Sequence, residues 1–175
     1  MGNSMKDTFI HQYESQVAHA PLPLQLAETY SISSIIKDTT DKKVYLLKDQ
    51  RNQPFILKCC SSMYAGVLRQ EYDFLTHHTN MDCFPDAVTF FEESDMCFLL
   101  RDYIKGPLLG EHSEHLYAQY THFRDFENAL LPYMIECCQI ISILHHEKPP
   151  MIHRDIKPEN FVWEESSQML VLIDI

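Results

Sequence analysis

Glycine is scarce in this chain. Only Gly2, Gly66, Gly106 and Gly110 occur in 175 residues, too dispersed to build a glycine-rich loop. Positive charge is also in deficit, with 14 Lys and Arg against 25 Asp and Glu and a net charge of −11. Nothing forms a basic stripe, so a general nucleic-acid role is excluded. No apolar run approaches the ~18 residues of a membrane span, and no secretory leader is evident. Met1-Gly2 begins like a myristoylation signal, but Lys6 stands where Ser or Thr is required. The six cysteines include the adjacent pairs Cys59-Cys60 and Cys137-Cys138 and no Cys-x-x-Cys. Adjacent cysteines suit neither a disulfide framework nor a zinc site; they read as small core residues in a reducing cytoplasm. His77-His78, His112, His115 and His145-His146 lack the partners that would complete a metal site, so they read as structural. Repeats and low-complexity tracts are absent, and the apolar fraction of 45% is that of an ordinary globular protein.

What is present is concentrated near the C-terminal end. Ile152-His153-Arg154-Asp155-Ile156-Lys157-Pro158-Glu159-Asn160 gathers a His, an Arg, an Asp, a Lys and an Asn within eight residues. Pro149-Pro150 stops a helix before it, and the apolar Phe161-Val162-Trp163 follows. Polar groups on a loop between a helix end and a strand are well placed to meet a ligand. This stretch resembles the His-Arg-Asp catalytic loop of eukaryotic-type protein kinases. The resemblance implies roles: Asp155 accepts the proton of an attacking hydroxyl, Lys157 meets the transferring phosphoryl group, and Asn160 turns to a metal ion bridging the phosphates. Phosphoryl transfer needs positioning and charge compensation, and one rigid loop offers a base, a cation and a metal ligand. Lys157 resembles the serine/threonine-specific branch in particular.

The same resemblance extends along most of the chain. Phe9, Tyr13 and Val17 suggest a short amphipathic helix over 5–19, ended by Pro21 and Pro23, with no chemistry assigned. Tyr30–Ile36, Val44–Leu47 and Phe55–Leu57 read as strands, the last two joined by the polar turn Asp49–Asn52. They correspond to the first three small-lobe strands, which makes Lys58 the lysine that holds the α- and β-phosphates. The three glycine positions of the phosphate loop fall on Lys37, Thr39 and Lys42. Without glycine that loop must reach nucleotide through side chains such as Lys37, Lys42 or Lys43. Ile56 stands where a small residue usually lies over adenine.

Residues 63–78 read as a helix on which Glu71 is implied as the partner of Lys58. Strands follow at 87–92 and 96–102, around Glu93-Ser94-Asp95. Tyr103-Ile104-Lys105-Gly106 resembles the hinge that binds adenine through its backbone; on this register Arg101 stands at the back wall ahead of it, so either an Arg closes the rear pocket or the register is shifted by one. Val44, Asp102, Ile104 and Val162 are the further nucleotide-contacting positions that the resemblance implies. Residues 108–146 are helical in pattern, and Leu130, Met134, Cys137, Cys138, Ile141 and Leu144 share one broad side of the longest stretch. A hairpin over 161–173 leads to Asp174-Ile175, where Asp174 matches the second metal ligand of the Asp-Phe-Gly motif.

The expected fold is therefore α+β: a five-stranded antiparallel small lobe with one helix, then the first, mainly helical part of a large lobe. The boundaries fall at 1–27 for an extension, 28–106 for the small lobe and hinge, and 107–175 for the partial large lobe. The implied cofactors are ATP and Mg2+, and the implied partner is a protein with a Ser or Thr acceptor. A chain ending on a strand at a catalytic aspartate looks cut short of the activation segment and later helices. That leaves the helix side bearing Leu130, Met134, Ile141 and Leu144 uncovered and open to self-association. Three functions fit: an N-terminal part of a serine/threonine kinase that is expected to be inactive alone, a kinase-derived nucleotide-binding or regulatory remnant without turnover, or a small-molecule phosphotransferase.

Overall fold

The structure, a computed structural model, describes residues 22–175. The helix expected over 5–19 lies outside the described residues, as does most of the expected 1–27 extension. The chain divides into two compact units. The first contains the described residues up to His77 together with Asp86–Tyr103, and the second contains His78–Pro85 and Ile104–Ile175.

In the first unit a short helix α1 (Leu24–Ala27) precedes β1 (Tyr30–Asp38), β2 (Lys42–Asp49) and β3 (Pro54–Ser61). Helix α2 (Ala65–His77), β4 (Ala87–Glu93) and β5 (Met96–Asp102) complete it. The strands form one antiparallel sheet in the order β1-β2-β3-β5-β4, which is the expected small-lobe architecture. Asp49 makes the β2–β3 turn: its Oδ1 accepts from the backbone N–H groups of Arg51 and Gln53 at 2.8 and 2.7 Å. Asn52, at φ 63°, takes the left-handed position that its short polar side chain tolerates.

Central β3 is buried on both faces from Ile56 to Cys60, so its residues are apolar without alternation except for Lys58. One face joins Leu57 to Leu26, Leu47, Phe91 and Leu100. The other joins Cys60 to Leu68 of α2, Cys97 and Leu99. Leu26, the last buried residue of the expected 1–27 stretch, packs into the sheet's core.

The second unit contains α3 (Leu109–Tyr117), α4 (Phe123–His146) and the hairpin β6 (Phe161–Glu164)–β7 (Met169–Leu172). His78–Pro85 packs with it although the expected small lobe runs unbroken from 28 to 106. Leu172 N–H donates to Cys83 O at 2.9 Å, and His78 Nε2 lies 3.2 Å from Glu147 Oε1. Ile104–Gly106 goes with this unit as well. Gly106 has no room for a side chain, because a Cβ there would stand 2.0 Å from Trp163 O. That close approach lets Trp163 N–H donate to Pro107 O at 2.9 Å.

On α4 the buried residues are Cys137, Ile140, Ile141 and Leu144, spaced as one helical stripe. This corrects part of the expected uncovered side, since Ile141 and Leu144 are 8% and 0% exposed, while Leu130 is half-buried and Met134 exposed. Met134 joins Leu131 and Ile135 in an exposed apolar stripe, which lines a shallow groove with Cys138. Hydrophobic dye is expected to bind this stripe, because clustered apolar area on a surface offers it a site. Dye fluorescence should fall in Leu131→Glu/Ile135→Glu, and unchanged fluorescence would place the binding elsewhere.

Candidate active site

Two groups of side chains stand out, one in each unit. In the first unit Lys58 projects from β3 and Glu71 from α2, and the Lys58 Nζ pairs with Glu71 Oε1. Both side chains are 3% exposed. A charge taken from water is tolerable only when paired and hydrogen-bonded, and Lys58 supplies that pairing for the Glu71 carboxylate. Val44 is the cross-strand partner of Lys58 and therefore shares its side of the sheet.

The phosphate-loop position is a tight hairpin tip between β1 and β2. Thr39 closes it: its Oγ1 donates to Lys42 O at 2.8 Å and accepts from Lys42 N–H at 3.1 Å. Lys43 Nζ lies 3.1 Å from Asp38 Oδ1, both side chains half-exposed. Arg101 is buried opposite Ile56, and its Nη1 donates to Asp102 O at 2.9 Å. Burial raises the Asp102 carboxyl above the usual range; Asp86 adds to this and Arg101 opposes it.

In the second unit the loop after α4 folds into a compact polar cluster. Arg154 takes the left-handed conformation at φ 65°. A 3-10 turn, Pro158–Asn160, then brings Asn160 back to Asp155. Asn160 is 6% exposed and spends its Nδ2 on Asp155 O at 2.7 Å, with Asp155 Oδ2 at 3.4 Å. Its backbone accepts from Ile173 N–H at 2.8 Å, which ties the loop to the strand that ends beside Asp174. Lys157 Nζ donates to Asp155 Oδ2 at 2.6 Å. Asp155 N–H donates to His153 Nδ1 at 3.2 Å, so that ring nitrogen carries no proton.

The Lys157 hydrogen bond lowers the Asp155 carboxyl below its ordinary range; Asn160 adds to this, while the nearby Asp174 opposes it. Reciprocally, Asp155 holds the Lys157 ammonium above its usual range. Because the folded carboxyl titrates low, this pairing contributes above the unfolded carboxylate range and is lost as pH falls through the folded value. In Lys157→Ala the Asp155 titration, followed by carboxyl NMR, should move up toward the ordinary range. An unmoved midpoint would assign the depression to another neighbour.

With Nδ2 committed, the amide oxygen of Asn160 and the Asp174 carboxylate are hard donors that could hold Mg2+, which takes few protein ligands and keeps waters. Among the described residues no group of three or more His, Cys, Asp or Glu gathers to hold a metal ion. The loop thus brings Asp155, Lys157, Asn160 and Asp174 into one neighbourhood. Val162 is buried on β6, bridged to Leu108, and Ile104 is half-buried. Glu136 is a residue missed in the sequence. From α4 its Oε1 accepts from Leu170 N–H at 2.7 Å, anchoring the hairpin that follows Asn160. A carboxylate between Ile135 and Cys137 on an apolar helix is the signal that marks it. His112 stacks against Trp163 and lies edge-on to Tyr133.

No protein-family profile matches the chain. It is 26% identical over 129 residues to serine/threonine-protein kinase B of Synechocystis sp., covering 73% of this chain and 20% of that protein. It is 30% identical over 90 residues to serine/threonine-protein kinase Nek10 of Mus musculus, covering 50% of this chain and 8% of that protein. A protein of Dictyostelium discoideum described as a probable serine/threonine-protein kinase is 28% identical over 180 residues, 99% of this chain and 15% of that one. The chain thus spans a fifth or less of these relatives' lengths. Sheet order, helix and loop define a protein-kinase-like chain, matching a small lobe and the start of a large lobe. Its relatives are serine/threonine protein kinases.

Proposed function

We propose that this chain supplies the phosphate-anchoring and proton-accepting parts of a serine/threonine protein kinase, which transfers the ATP γ-phosphoryl group to a Ser or Thr hydroxyl of a protein. The observation that carries this reading is the Asp155 cluster, a carboxylate 57% exposed yet held by Lys157 and Asn160. Exposure lets a substrate hydroxyl reach it, and the ammonium beside it keeps it ionised and able to accept a proton. Lys157 turns from Asp155 toward the transferred group as charge builds there. Asn160 and Asp174 would hold Mg2+, which when bound would compensate the phosphate charge. Lys58 takes the phosphates, and Glu71 fixes its ammonium in place. The six free cysteines are compatible with a reducing cytoplasm as the setting.

A second reading, a nucleotide-binding or regulatory remnant without turnover, is favoured by one observation. The closed Thr39 tip offers no glycine backbone to phosphate. Calorimetry with Mg-ATP tests the first requirement of both readings. Wild type should bind, and Lys58→Ala should bind at least tenfold more weakly. Equal affinity would remove Lys58 from the site.

A further inference from the structure

We propose that Cys60 and Cys97 form a closable dithiol, a redox-modification site at which a peroxide-class oxidant cross-links β3 to β5 and changes the seating of α2. The two residues are directly opposed across the antiparallel ladder. Directly opposed residues in such a ladder have Cα atoms about 4.5–5.5 Å apart, inside the range that a disulfide spans. Their sulfurs are already 3.2 Å apart, so closing to a bond of about 2.05 Å needs roughly 1.2 Å of approach. Cys97 Sγ also lies 3.4 Å from Cys60 O, an acceptor for its proton that leaves its sulfur facing Cys60.

Strand alternation makes the pairing selective. Cys59 is the sequence neighbour of Cys60, but it points to the other side of the sheet, where its Sγ donates to Lys43 O at 3.5 Å. The site therefore links Cys97 to Cys60 and leaves Cys59 out.

Cys60 is 7% exposed and Cys97 fully enclosed, which makes Cys60 the first to react. Its thiolate attacks one peroxide oxygen; an S–O bond forms, the O–O bond breaks, and hydroxide leaves. The Cys97 sulfur then attacks the sulfenic sulfur of Cys60, the S–S bond forms, and hydroxide leaves with the Cys97 proton as water. In sum two thiols lose two electrons and two hydrogens, and hydrogen peroxide becomes two waters. Burial, with Cys97 adding to it, pushes the Cys60 thiol up to about 12. The reaction is therefore slow near neutrality, and its rate should rise about tenfold per pH unit as thiolate forms.

The consequence runs to α2. Cys60 and Cys97 share a buried cluster with Leu68, against which Tyr72 packs. Glu71 lies on the same helix between those two residues. Drawing the sulfurs together changes the surface beneath Leu68, and a close-packed interior transmits such a change to its neighbours.

The test treats the protein with hydrogen peroxide under native conditions, maps disulfides by peptide mass spectrometry, and follows α2 by amide hydrogen exchange. The expected product is two hydrogens lighter, joins the peptides of Cys60 and Cys97, and shows severalfold faster exchange over Leu68–Tyr72. Cys60→Ala and Cys97→Ala should each abolish both changes, which guards against one variant failing to fold. Exposed Cys138 reports that the oxidant is active. Oxidised Cys138 with no Cys60–Cys97 link would overturn the site, and so would a Cys59–Cys97 link. A correct link with unchanged α2 exchange would overturn the coupling to the helix. None of these readouts involves nucleotide, so they stand or fall apart from the kinase reading.

Discussion

Replacing Lys58 by alanine is expected to cost about 3–5 kcal/mol of stability, the range for removing one member of a buried ion pair. The reason lies with the residue left behind. Glu71 is 3% exposed, and without Lys58 its charge has no water to turn to. Urea denaturation followed by circular dichroism measures the loss, since the first unit holds the larger sheet. Fluorescence of the only tryptophan, Trp163, reports on the second unit and should move less. The double replacement Lys58→Met/Glu71→Leu removes both charges together and should return stability close to that of wild type. Mg-ATP affinity should stay as low in the double variant as in Lys58→Ala. A double variant as unstable as the single one would show that packing of the lysine stem, not the orphaned carboxylate, causes the loss.

On the proposed function, Asp155→Asn in a whole kinase carrying this chain should lower phosphate transfer by about 10²–10⁴-fold, the usual contribution of a positioned general base. Affinity for Mg-ATP should stay within a few-fold of wild type, since the carboxylate's assigned role is with the acceptor hydroxyl. Asparagine is close to isosteric with aspartate, and Asn160 Nδ2 bonds chiefly to the backbone oxygen of residue 155, so the loop keeps its shape. What disappears is the ability to take a proton and the charge that holds Lys157. Radiolabelled ATP with a generic basic protein substrate provides the assay. Transfer that survives the substitution would remove Asp155 from the chemistry.

The polar cluster was legible in the sequence because its members are nearly contiguous. Asp155, Lys157 and Asn160 sit within one loop, and a single 3-10 turn suffices to bring them together. Lys58 and Glu71 were legible only through the family resemblance, Lys58 helped by its distance from Val44, and no local pattern of residues announced their pairing. The face of α4 was not. Leu130, Leu131, Met134, Ile135, Cys137, Cys138, Ile140 and Ile141 are apolar almost all round the helix, so periodicity could not say which stripe is buried. The answer comes from β7 and Met151, which reach the helix at Glu136 and Leu144. Long-range backbone bonds were equally silent. Nothing local to Cys83 announces that its carbonyl serves Leu172. The Cys60–Cys97 opposition likewise exists only once the β3–β5 register is set.

Gly106 has a consequence for how this sequence can drift. The chain uses almost no glycine, and its phosphate-loop positions hold other residues. At Gly106 the need is clearance for the Trp163 carbonyl rather than an unusual φ, and backbone cannot step aside as a flexible side chain would. Every missense change there, even the single methyl of alanine, meets the same obstacle. A codon that tolerates no neighbour is therefore fixed by geometry, whether or not phosphate is ever transferred. Persistence of this glycine among descendants would be a marker of the second unit's fold, and would say nothing about catalysis.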